Sequence, residues 1–253
     1  MSVTNPTTSA SVVLVTGGAS GMGAATAALF VADGAHVFII DRNETLAQEV
    51  ATRLGCQLIV GDVSDPAFCQ QAVDTAVNQH GQLDVLVNAA GVIVRADALN
   101  TTDDQWQHVL NVNLSGTFYM CRAALNTMKR QQSGAIINFG SIWGMVGGTG
   151  HIAYCASKGA IHNLTRSLAL DHARDGIRIN AVAPGEVNTP MLSHGREKPY
   201  TPADLQELAD RVVPTGRLAE PEEIAQVVHF LASDKASYMT GAIVPVDAGY
   251  TAR

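Results

Sequence analysis

The chain has 253 residues, of which 47% are hydrophobic and 15% are charged, so it can bury the core of a single α/β domain. Its formal charge of −7, without a long basic run, argues against nucleic acid or an anionic membrane as a general partner, and no apolar stretch approaches the ~20 residues that cross a bilayer. Four cysteines without CxxC or metal-ligand spacing predict reduced thiols in a cytoplasmic protein, and no metal site.

Short apolar runs alternate with helical patterns, which predicts parallel strands joined by helical crossovers. Residues 1–10 are expected to be a flexible tail rather than a signal peptide, and one domain is expected over 11–253. The predicted strands are 12–16, 36–40, 57–60, 84–88, 135–139, 177–183 and 243–247. The predicted helices lie near 21–33, 44–54, 66–79, 103–130, 152–174 and 221–232. The proline-rich stretch 184–220 is the least regular, and its portion at about 186–215 is predicted to be a mobile substrate lid.

The first predicted strand runs into a glycine-rich turn, Thr16-Gly17-Gly-Ala-Ser20-Gly21-Met22-Gly23, which opens the first helix. Glycines at such a turn let the backbone bend tightly and approach a pyrophosphate, whose charge is favoured at a helix N-terminus. Glycine trios alone are weak signals, but this one has the strand–turn–helix context that the motif requires. The turn therefore predicts a dinucleotide site.

The second predicted strand leads into Asp41, eighteen residues after Gly23. A carboxylate there would accept hydrogen bonds from the adenine ribose and would repel a 2′-phosphate. Arg42 is the opposing signal, because a guanidinium can pair with that phosphate. Since the glycine-rich turn contains no Arg or Lys, Asp41 has the greater weight, and the sequence predicts NAD rather than NADP.

Tyr154 and Lys158 are one helical turn apart, and Ser141 lies thirteen residues before the tyrosine. A phenol with a pKa near ~10 is a poor base at neutral pH, and bringing it to ~7 requires ~4 kcal/mol. One ammonium ~4 Å away supplies roughly that much at an effective dielectric constant of ~20. The pattern therefore predicts proton exchange with an alcohol or carbonyl oxygen, to which the Ser141 hydroxyl hydrogen-bonds.

In combination, these motifs resemble those of a short-chain dehydrogenase/reductase of the ~250-residue type. The resemblance runs from about Ser11 to the C-terminus and also includes Asn88-Ala-Ala-Gly91, Asn113 in Val-Asn-Leu, and Pro184-Gly185. It implies a single Rossmann-like domain, with a doubly wound seven-stranded parallel sheet and helices on both faces. It further implies hydride transfer between a nicotinamide and a carbonyl or alcohol, and a homotetramer.

The resemblance also assigns roles by position. Tyr154 corresponds to the general acid/base, Lys158 to the group that lowers its pKa and holds the nicotinamide ribose, and Ser141 to the group that orients the substrate oxygen. Asn113 corresponds to a position where the helix is locally disturbed so that a water can link Lys158 to solvent. The implied cofactor contacts are Thr16, Gly17, Ser20, Gly21, Met22, Gly23, Asp41, Arg42, Asp62, Val63, Asn88, Ala89, Ala90, Gly91, Tyr154, Lys158, Pro184, Gly185, Val187 and Thr189.

The chain departs from the family near its C-terminus, where Asp-Gly-Gly is frequent and this sequence has Asp247-Ala248-Gly249. Alanine tolerates a positive φ less well than glycine, so this loop is expected to differ in course. The departure lies away from the predicted proton-transfer residues.

Several side chains are candidates for substrate contact by position alone: Trp143, Met145 and His151 before the tyrosine, Arg95 after the fourth strand, and His194, Arg196 and Lys198 in the lid. One hypothesis is that Arg95 or a lid cation pairs with a carboxylate, sulfonate or phosphate of the substrate. The alternative is that the lid charges are exposed to solvent, with Glu197 balancing one of them.

The sequence thus predicts an NAD-dependent oxidoreductase acting on the secondary alcohol or ketone of a small polar substrate, such as a polyol, sugar or hydroxy acid. A reductase of β-ketoacyl thioesters is the enzymatic alternative. A non-catalytic protein that senses NAD(H) is the alternative from another class, but such proteins usually lose a catalytic side chain.

Overall fold

Seven strands form one parallel sheet in the order β3-β2-β1-β4-β5-β6-β7 in the computed structural model, which describes residues 10–196 and 198–252. The strands are β1 (Val12–Thr16), β2 (His36–Asp41), β3 (Gln57–Val60), β4 (Val85–Asn88), β5 (Gly134–Phe139), β6 (Ile177–Pro184) and β7 (Ile243–Val246). The helices are α1 (Gly21–Ala32), α2 (Glu44–Leu54), α3 (Pro66–His80), α4 (Asp103–Leu110), α5 (Gly116–Gln131), α6 (Ile152–His172), α7 (Pro202–Val212) and α8 (Pro221–Ala232). The predicted doubly wound sheet is confirmed, whereas the predicted tail lies, apart from Ala10, outside the described residues.

The central strands are apolar on both faces because helices cover both sides of the sheet. All five side chains of β1 are buried, and successive residues contribute to opposite cores. Leu14 and Leu86 belong to the core on the side of α3 and α5, whereas Val13 and Val87 belong to the core on the side of α1 and α8. The continuous apolar runs in the sequence therefore reflect burial on two faces.

Two helical predictions differ from the structure. The predicted helix 103–130 is divided into α4 and α5 by a π-helical turn, Asn111–Ser115. The stretch predicted as irregular contains α7, whose start is fixed by a capping box in which the Thr201 and Asp204 side chains bond to each other's backbone N–H groups. Proline at its first turn favours this helix start, so the proline signal was read wrongly as irregular chain.

The strand order reverses between β1 and β4. From β1, the chain crosses to β2 and β3 on one side, and from β4 to β5, β6 and β7 on the other. Thr16 and Asn88, the last residues of β1 and β4, are paired in register. The loops that follow them separate, which opens a cleft at the carboxyl ends of the strands.

Within the described residues, no helix is both long and apolar enough to cross a membrane. The same part of the chain contains no group of three or more His, Cys, Asp or Glu side chains arranged to hold a metal ion. Cys69 and Cys121 are buried free thiols, and Cys56 and Cys155 are partly buried free thiols.

The loop after β7 is held by Asp247 in a conformation that suits glycine better than alanine. Ala248 has a φ of 53°. The Asp247 carboxylate accepts hydrogen bonds from the backbone N–H of Gly249 (3.0 Å), the backbone N–H of Thr251 (2.9 Å) and the Thr251 hydroxyl (2.6 Å). These contacts keep the turn tight although its middle residue carries a Cβ.

We predict that Ala248→Gly raises the free energy of unfolding by about 0.5–1 kcal/mol. Glycine adopts the left-handed conformation without the steric cost that alanine has, which stabilises the folded state by ~1–2 kcal/mol. The greater conformational freedom of glycine in the unfolded chain offsets part of this stabilisation. Urea denaturation measures the change. The matched control is Ala28→Gly in the middle of α1, which should lower stability by about 1 kcal/mol. A loss of stability in both variants would contradict the strain at Ala248.

Candidate active site

The glycine-rich turn forms one wall of the cleft. Gly17 has a φ of 67°, and a Cβ there would lie 2.8 Å from the Ala90 Cα, so only glycine fits without displacing the neighbouring loop. The Thr16 hydroxyl accepts a hydrogen bond from the Ala90 N–H at 3.1 Å and joins the two walls. Ser20 precedes α1 without a side-chain cap hydrogen bond. The N–H groups at the start of α1 are therefore available to an anion such as a pyrophosphate.

Two carboxylates lie at the ends of β2 and β3. Asp41 accepts hydrogen bonds from the backbone N–H groups of Ala19 (3.1 Å) and Asn43 (3.0 Å), so its position is fixed relative to the glycine-rich turn. Burial opposes ionisation of Asp62, but hydrogen bonds from Ser64 and the positive charge of Arg42 together lower its pKa. Both carboxylates are suited to accept hydrogen bonds from hydroxyl or amino groups of a ligand.

These groups surround a cavity of about 350 Å³ at the switch point. The residues predicted as cofactor contacts that line it are Gly17, Ser20, Gly21, Met22, Gly23, Asp41, Arg42, Asp62, Val63, Ala89, Ala90, Gly91 and Thr189. The cavity fits a dinucleotide that lies across the sheet. It has the uncapped start of α1, glycines that are too crowded to be replaced, and the fixed carboxylate of Asp41 at the end of β2.

Some predicted contacts lie elsewhere. Thr16 is buried and supports the turn, and the Asn88 side chain is buried beneath the cleft, where it donates to the Asn138 Oδ1 at 2.9 Å. Tyr154, Pro184, Gly185 and Val187 line a second cavity, as does Thr189. Lys158 lines neither cavity. The first cavity also has lining residues that the motifs did not identify: Ala19, Ile40, Asn43, Leu46, Gly61, Val92, Ile93, Val112, Pro190, Met191 and His194.

Tyr154 and Lys158 lie together at the start of α6, and both are buried. The Lys158 Nζ is 5.5 Å from the centre of the Tyr154 ring and donates a hydrogen bond to the Phe139 carbonyl oxygen at 2.6 Å. A Cβ at Gly91 would lie 3.7 Å from the same Nζ, so the ammonium lies against the wall of the first cavity. The lysine therefore lies between the tyrosine and the cleft.

Asn113 lies in the π-helical turn, where the predicted local disturbance of the helix is present. Its Oδ1 accepts from the Val92 N–H at 2.8 Å, and its Nδ2 donates to the Val92 carbonyl at 3.0 Å and to the Ser157 hydroxyl at 3.0 Å. The Ser157 hydroxyl donates in turn to the Tyr154 carbonyl at 2.7 Å. Asn113 thus joins the loop after β4 to the helix that carries Tyr154 and Lys158.

The second cavity, of about 690 Å³, opens beside Ser141 and Tyr154. It shares Met22, Ile93, Thr189 and Met191 with the first cavity, so the two meet at these residues. Its other lining residues are Arg95, Gly140, Ser141, Trp143, Thr149, Gly150, His151, Tyr154, Pro184, Gly185, Glu186, Val187, Leu192, Arg196, Tyr200, Leu208, Arg211 and Val212. Tyr154 and Lys158 are therefore next to both the first cavity and a separate chamber.

Of the candidate substrate residues, Trp143, His151, Arg95 and Arg196 line the second cavity, whereas His194 lines the first. Met145 and Lys198 line neither. The Arg95 guanidinium donates to three carbonyl oxygens of the predicted lid, those of Met191 (3.2 Å), Leu192 (3.1 Å) and His194 (3.0 Å). Its donors are therefore largely engaged by the protein.

Comparison with known proteins agrees with this geometry. A family model described as enoyl-(acyl carrier protein) reductase matches residues 17–251. The chain is 40% identical over 244 residues to meso-2,3-butanediol dehydrogenase of Serratia marcescens, covering 95% of this chain and 94% of that protein. It is 42% identical over 242 residues to galactitol 2-dehydrogenase (L-tagatose-forming) of Cereibacter sphaeroides, with coverages of 94% and 93%. A 3-oxoacyl-[acyl-carrier-protein] reductase of Thermotoga maritima is 38% identical, with coverages of 94% and 96%.

The chain belongs to the short-chain dehydrogenase/reductase family. The solved structure of levodione reductase has the same fold, with a TM-score of 0.90, 34% identity, and coverage of 96% of this chain and 98% of that one. The family resemblance of the sequence is confirmed, and the protein is an oxidoreductase that acts on a CH–OH group and uses a nicotinamide cofactor.

In this short-chain dehydrogenase/reductase, the phenol of Tyr154 is less acidic than the sequence predicts. Burial raises the pKa of Tyr154 to about 12, although a hydrogen bond with the Ser141 side chain acts in the opposite direction. Burial also lowers the pKa of Lys158 to about 8. Burial therefore opposes the lowering of the phenol pKa that the sequence expects from Lys158, as long as the chain is considered alone.

His162, which the motifs did not identify, supports the loop that carries Ser141. Its buried Nε2 accepts a hydrogen bond from the Ser141 N–H at 3.4 Å, and the ring also hydrogen-bonds to the backbone of Gly144. Burial and the nearby Lys158 charge lower the pKa of His162 to about 4. Protonation would place an N–H on Nε2 against the Ser141 N–H, so the loop requires the neutral ring.

We predict that this buried neutral histidine makes stability fall as the pH is lowered from about 6.5 to about 4. In that window, the unfolded chain binds a proton at position 162 and the folded chain does not, which costs up to about 1.4 kcal/mol per pH unit. Urea denaturation of the wild type and His162→Gln between pH 4.5 and 7.5 measures the difference. The variant should be less stable at pH 7.5 and show a shallower loss on acidification; parallel curves would contradict the prediction.

Proposed function

We propose that the protein is an NAD-dependent dehydrogenase that transfers a hydride between nicotinamide and the secondary alcohol or ketone of a small polar substrate, such as a polyol, sugar or hydroxy acid. The observation that carries this proposal is the place where the two cavities meet. Ser141 and Tyr154 line the second cavity, which shares four residues with the first, and the Lys158 ammonium lies near Gly91 in the wall of the first.

The chain's own residues account for binding and proton exchange. The start of α1 would hold the pyrophosphate, Asp41 the adenine ribose, and Lys158 the nicotinamide ribose. The nicotinamide, when bound, supplies the hydride acceptor or donor. In the direction of reduction, the protonated Tyr154 gives its proton to the substrate oxygen, to which the Ser141 hydroxyl hydrogen-bonds. In the direction of oxidation, Tyr154 takes the hydroxyl proton, which requires more positive charge near the phenol than the chain provides alone.

We predict that Tyr154→Phe lowers kcat by about 10²–10⁴-fold in both directions, because the variant cannot exchange the proton. Fluorescence titration should show that NADH still binds within about threefold of wild type, since the ring remains in place. Tyr200→Phe is the matched control: it removes a phenol from the same cavity and should change kcat by less than about threefold. More than a tenth of wild-type activity in Tyr154→Phe would remove Tyr154 from this role.

The preference for NAD rests on Asp41. Its carboxylate is fixed by the Ala19 N–H, lines the first cavity, and would repel a 2′-phosphate. Arg42 lines the same cavity and acts in the opposite direction. The absence of Arg and Lys from residues 16–23 leaves Arg42 without a second cation there.

We predict that Asp41→Ala and Asp41→Asn each lower the ratio of kcat/KM for NAD to that for NADP by about tenfold or more, because both remove the charge. Asparagine keeps an oxygen that can accept the hydrogen bond from the Ala19 N–H. The asparagine variant therefore loses the negative charge but keeps the hydrogen bond that supports the loop. If only the alanine variant shows a lower ratio, the preference for NAD depends on support of the loop rather than on charge. If the wild type turns over NADP as well as NAD, the proposed preference for NAD is refuted.

Reduction of β-ketoacyl thioesters is the enzymatic alternative, and the likeness to a 3-oxoacyl-[acyl-carrier-protein] reductase favours it. Asp41 and a glycine-rich turn without basic residues argue for the NAD-dependent dehydrogenase. A non-catalytic NAD(H) sensor is disfavoured because Asn113, Ser141, Tyr154 and Lys158 are all present. Formation of NADH absorbance with a panel of alcohols separates the catalytic proposal from the sensor.

We also propose a homotetramer, a cytoplasmic location, and mobility of the lid at about 186–215. Exposed apolar side chains on neighbouring helices, Trp106 on α4, Phe118 on α5 and Leu170 on α6, support association with further copies. Tyr238, between α8 and β7, is fully exposed as well. Arg95 holds the lid residues 191–194 by three hydrogen bonds, so mobility of the lid would require that these bonds break.

A further inference from the structure

Glu186 is held rigidly at the edge of the substrate cavity. It follows Pro184-Gly185 at the end of β6, and its carbonyl oxygen accepts a hydrogen bond from the Ala219 N–H at 3.0 Å. A Cβ at Gly185 would lie 2.9 Å from the Asp247 Cα, so the chain before Glu186 is tightly placed against the loop after β7. Glu186 lines the second cavity together with Ser141 and Tyr154, and its carboxylate lies within the influence of the Arg95 and Arg196 charges of the same cavity. The fixed backbone therefore places the start of this side chain at the edge of the cavity.

The Glu186 carboxylate has no hydrogen-bond donor and no ion pair within 4 Å among the described residues. It is partly buried, and burial raises its pKa although Arg95 and Arg196 act to lower it. A partly buried acceptor without a partner is unfavourable in the free protein. A ligand in the chamber that donates a hydrogen bond would satisfy it.

Two cations of the same chamber, Arg95 and Arg196, are engaged by the protein, whereas Arg211 of α7 is exposed to solvent. Arg95 donates to the three lid carbonyl oxygens described above. Arg196 donates to the Leu192 carbonyl oxygen at 2.9 Å and lies 4.2 Å from the centre of the Tyr200 ring. Their remaining charge faces Glu186, so an anionic substrate group would have to compete with this carboxylate. The chamber therefore offers an acceptor to a neutral, hydroxylated substrate.

We propose that Glu186 determines specificity: its carboxylate accepts a hydrogen bond from a second hydroxyl of the substrate, near the carbinol that is oxidised. This inference rests on the proposed dehydrogenase function and narrows its substrate class to polyols over monoalcohols and hydroxy acids. In this arrangement, Tyr154 and Ser141 hydrogen-bond to the oxygen of the carbinol that reacts, and Glu186 accepts a hydrogen bond from the second hydroxyl of the substrate. A hydrogen bond to a charged acceptor is expected to favour the diol by about 10- to 100-fold.

The test compares kcat/KM with NAD⁺ for butane-2,3-diol, butan-2-ol, 3-hydroxybutanoate and 3-aminobutan-2-ol. In the wild type, the diol should exceed butan-2-ol and 3-hydroxybutanoate by at least about tenfold. Glu186→Ala should abolish the preference for the diol while changing butan-2-ol by less than about threefold. Glu186→Gln keeps the shape and one acceptor oxygen, so it should keep part of the diol preference and accept the hydroxy acid better. Glu207→Gln, which changes an exposed carboxylate on α7, is the control and should match the wild type.

The outcomes separate this inference from the proposed function. Turnover of butan-2-ol with a diol preference that is unchanged in Glu186→Ala would overturn the role of Glu186 and leave the dehydrogenase standing. A preference of the wild type for 3-aminobutan-2-ol over the diol would also overturn it, because the carboxylate would then recognise an ammonium group. No NADH formation with any alcohol, in a protein that still binds NADH, would overturn the proposed function itself.

Discussion

The reversal of strand order between β1 and β4 determines where the reactive groups of the protein lie. Because crossovers leave β1 and β4 in opposite directions, the loops after Thr16 and Asn88 cannot cover the gap between them. The start of α1 and the turn at Ala89–Gly91 become the walls of that gap. The same edge of the sheet carries the loop with Ser141 after β5 and Glu186 after β6. The residues proposed for cofactor binding, proton exchange and substrate selection are therefore adjacent, because all lie at the carboxyl ends of parallel strands.

Burial of Tyr154 determines how readily its phenol ionises. It disfavours the phenolate, so that the pKa rises to about 12 in the chain alone. The Lys158 ammonium is itself buried and donates to the Phe139 carbonyl oxygen, and its pKa falls to about 8. The pair therefore favours donation of a proton by tyrosine unless further positive charge arrives in the first cavity. Acid/base chemistry at this site is thereby linked to what occupies the neighbouring cleft.

The sequence predicted those features that depend on local chemistry at fixed spacing. Strands with two buried faces, the glycine-rich turn, Asp41, and the pairing of Tyr154 with Lys158 all follow from short-range patterns. It does not predict α7, because prolines usually interrupt regular structure, whereas Pro202 begins a capped helix. Neither His162 nor Glu186 belongs to a short-range pattern: their contacts with the Ser141 loop and with the second cavity arise across the fold. The reversed pKa shift of Tyr154 likewise depends on burial, which residue spacing does not reveal.

The proposed selection of the substrate by Glu186 would be linked to the proposed lid through Arg95 and Arg196. Arg95 holds the 191–194 segment by its backbone, and Arg196 is part of the lid itself. Both guanidinium groups act to lower the pKa of Glu186 against the effect of burial. Because these two charges oppose the effect of burial, displacement of the segment that carries Arg196 would raise the pKa of Glu186 further. The electrostatics of this carboxylate therefore depend on where residues 191–196 lie relative to Arg95.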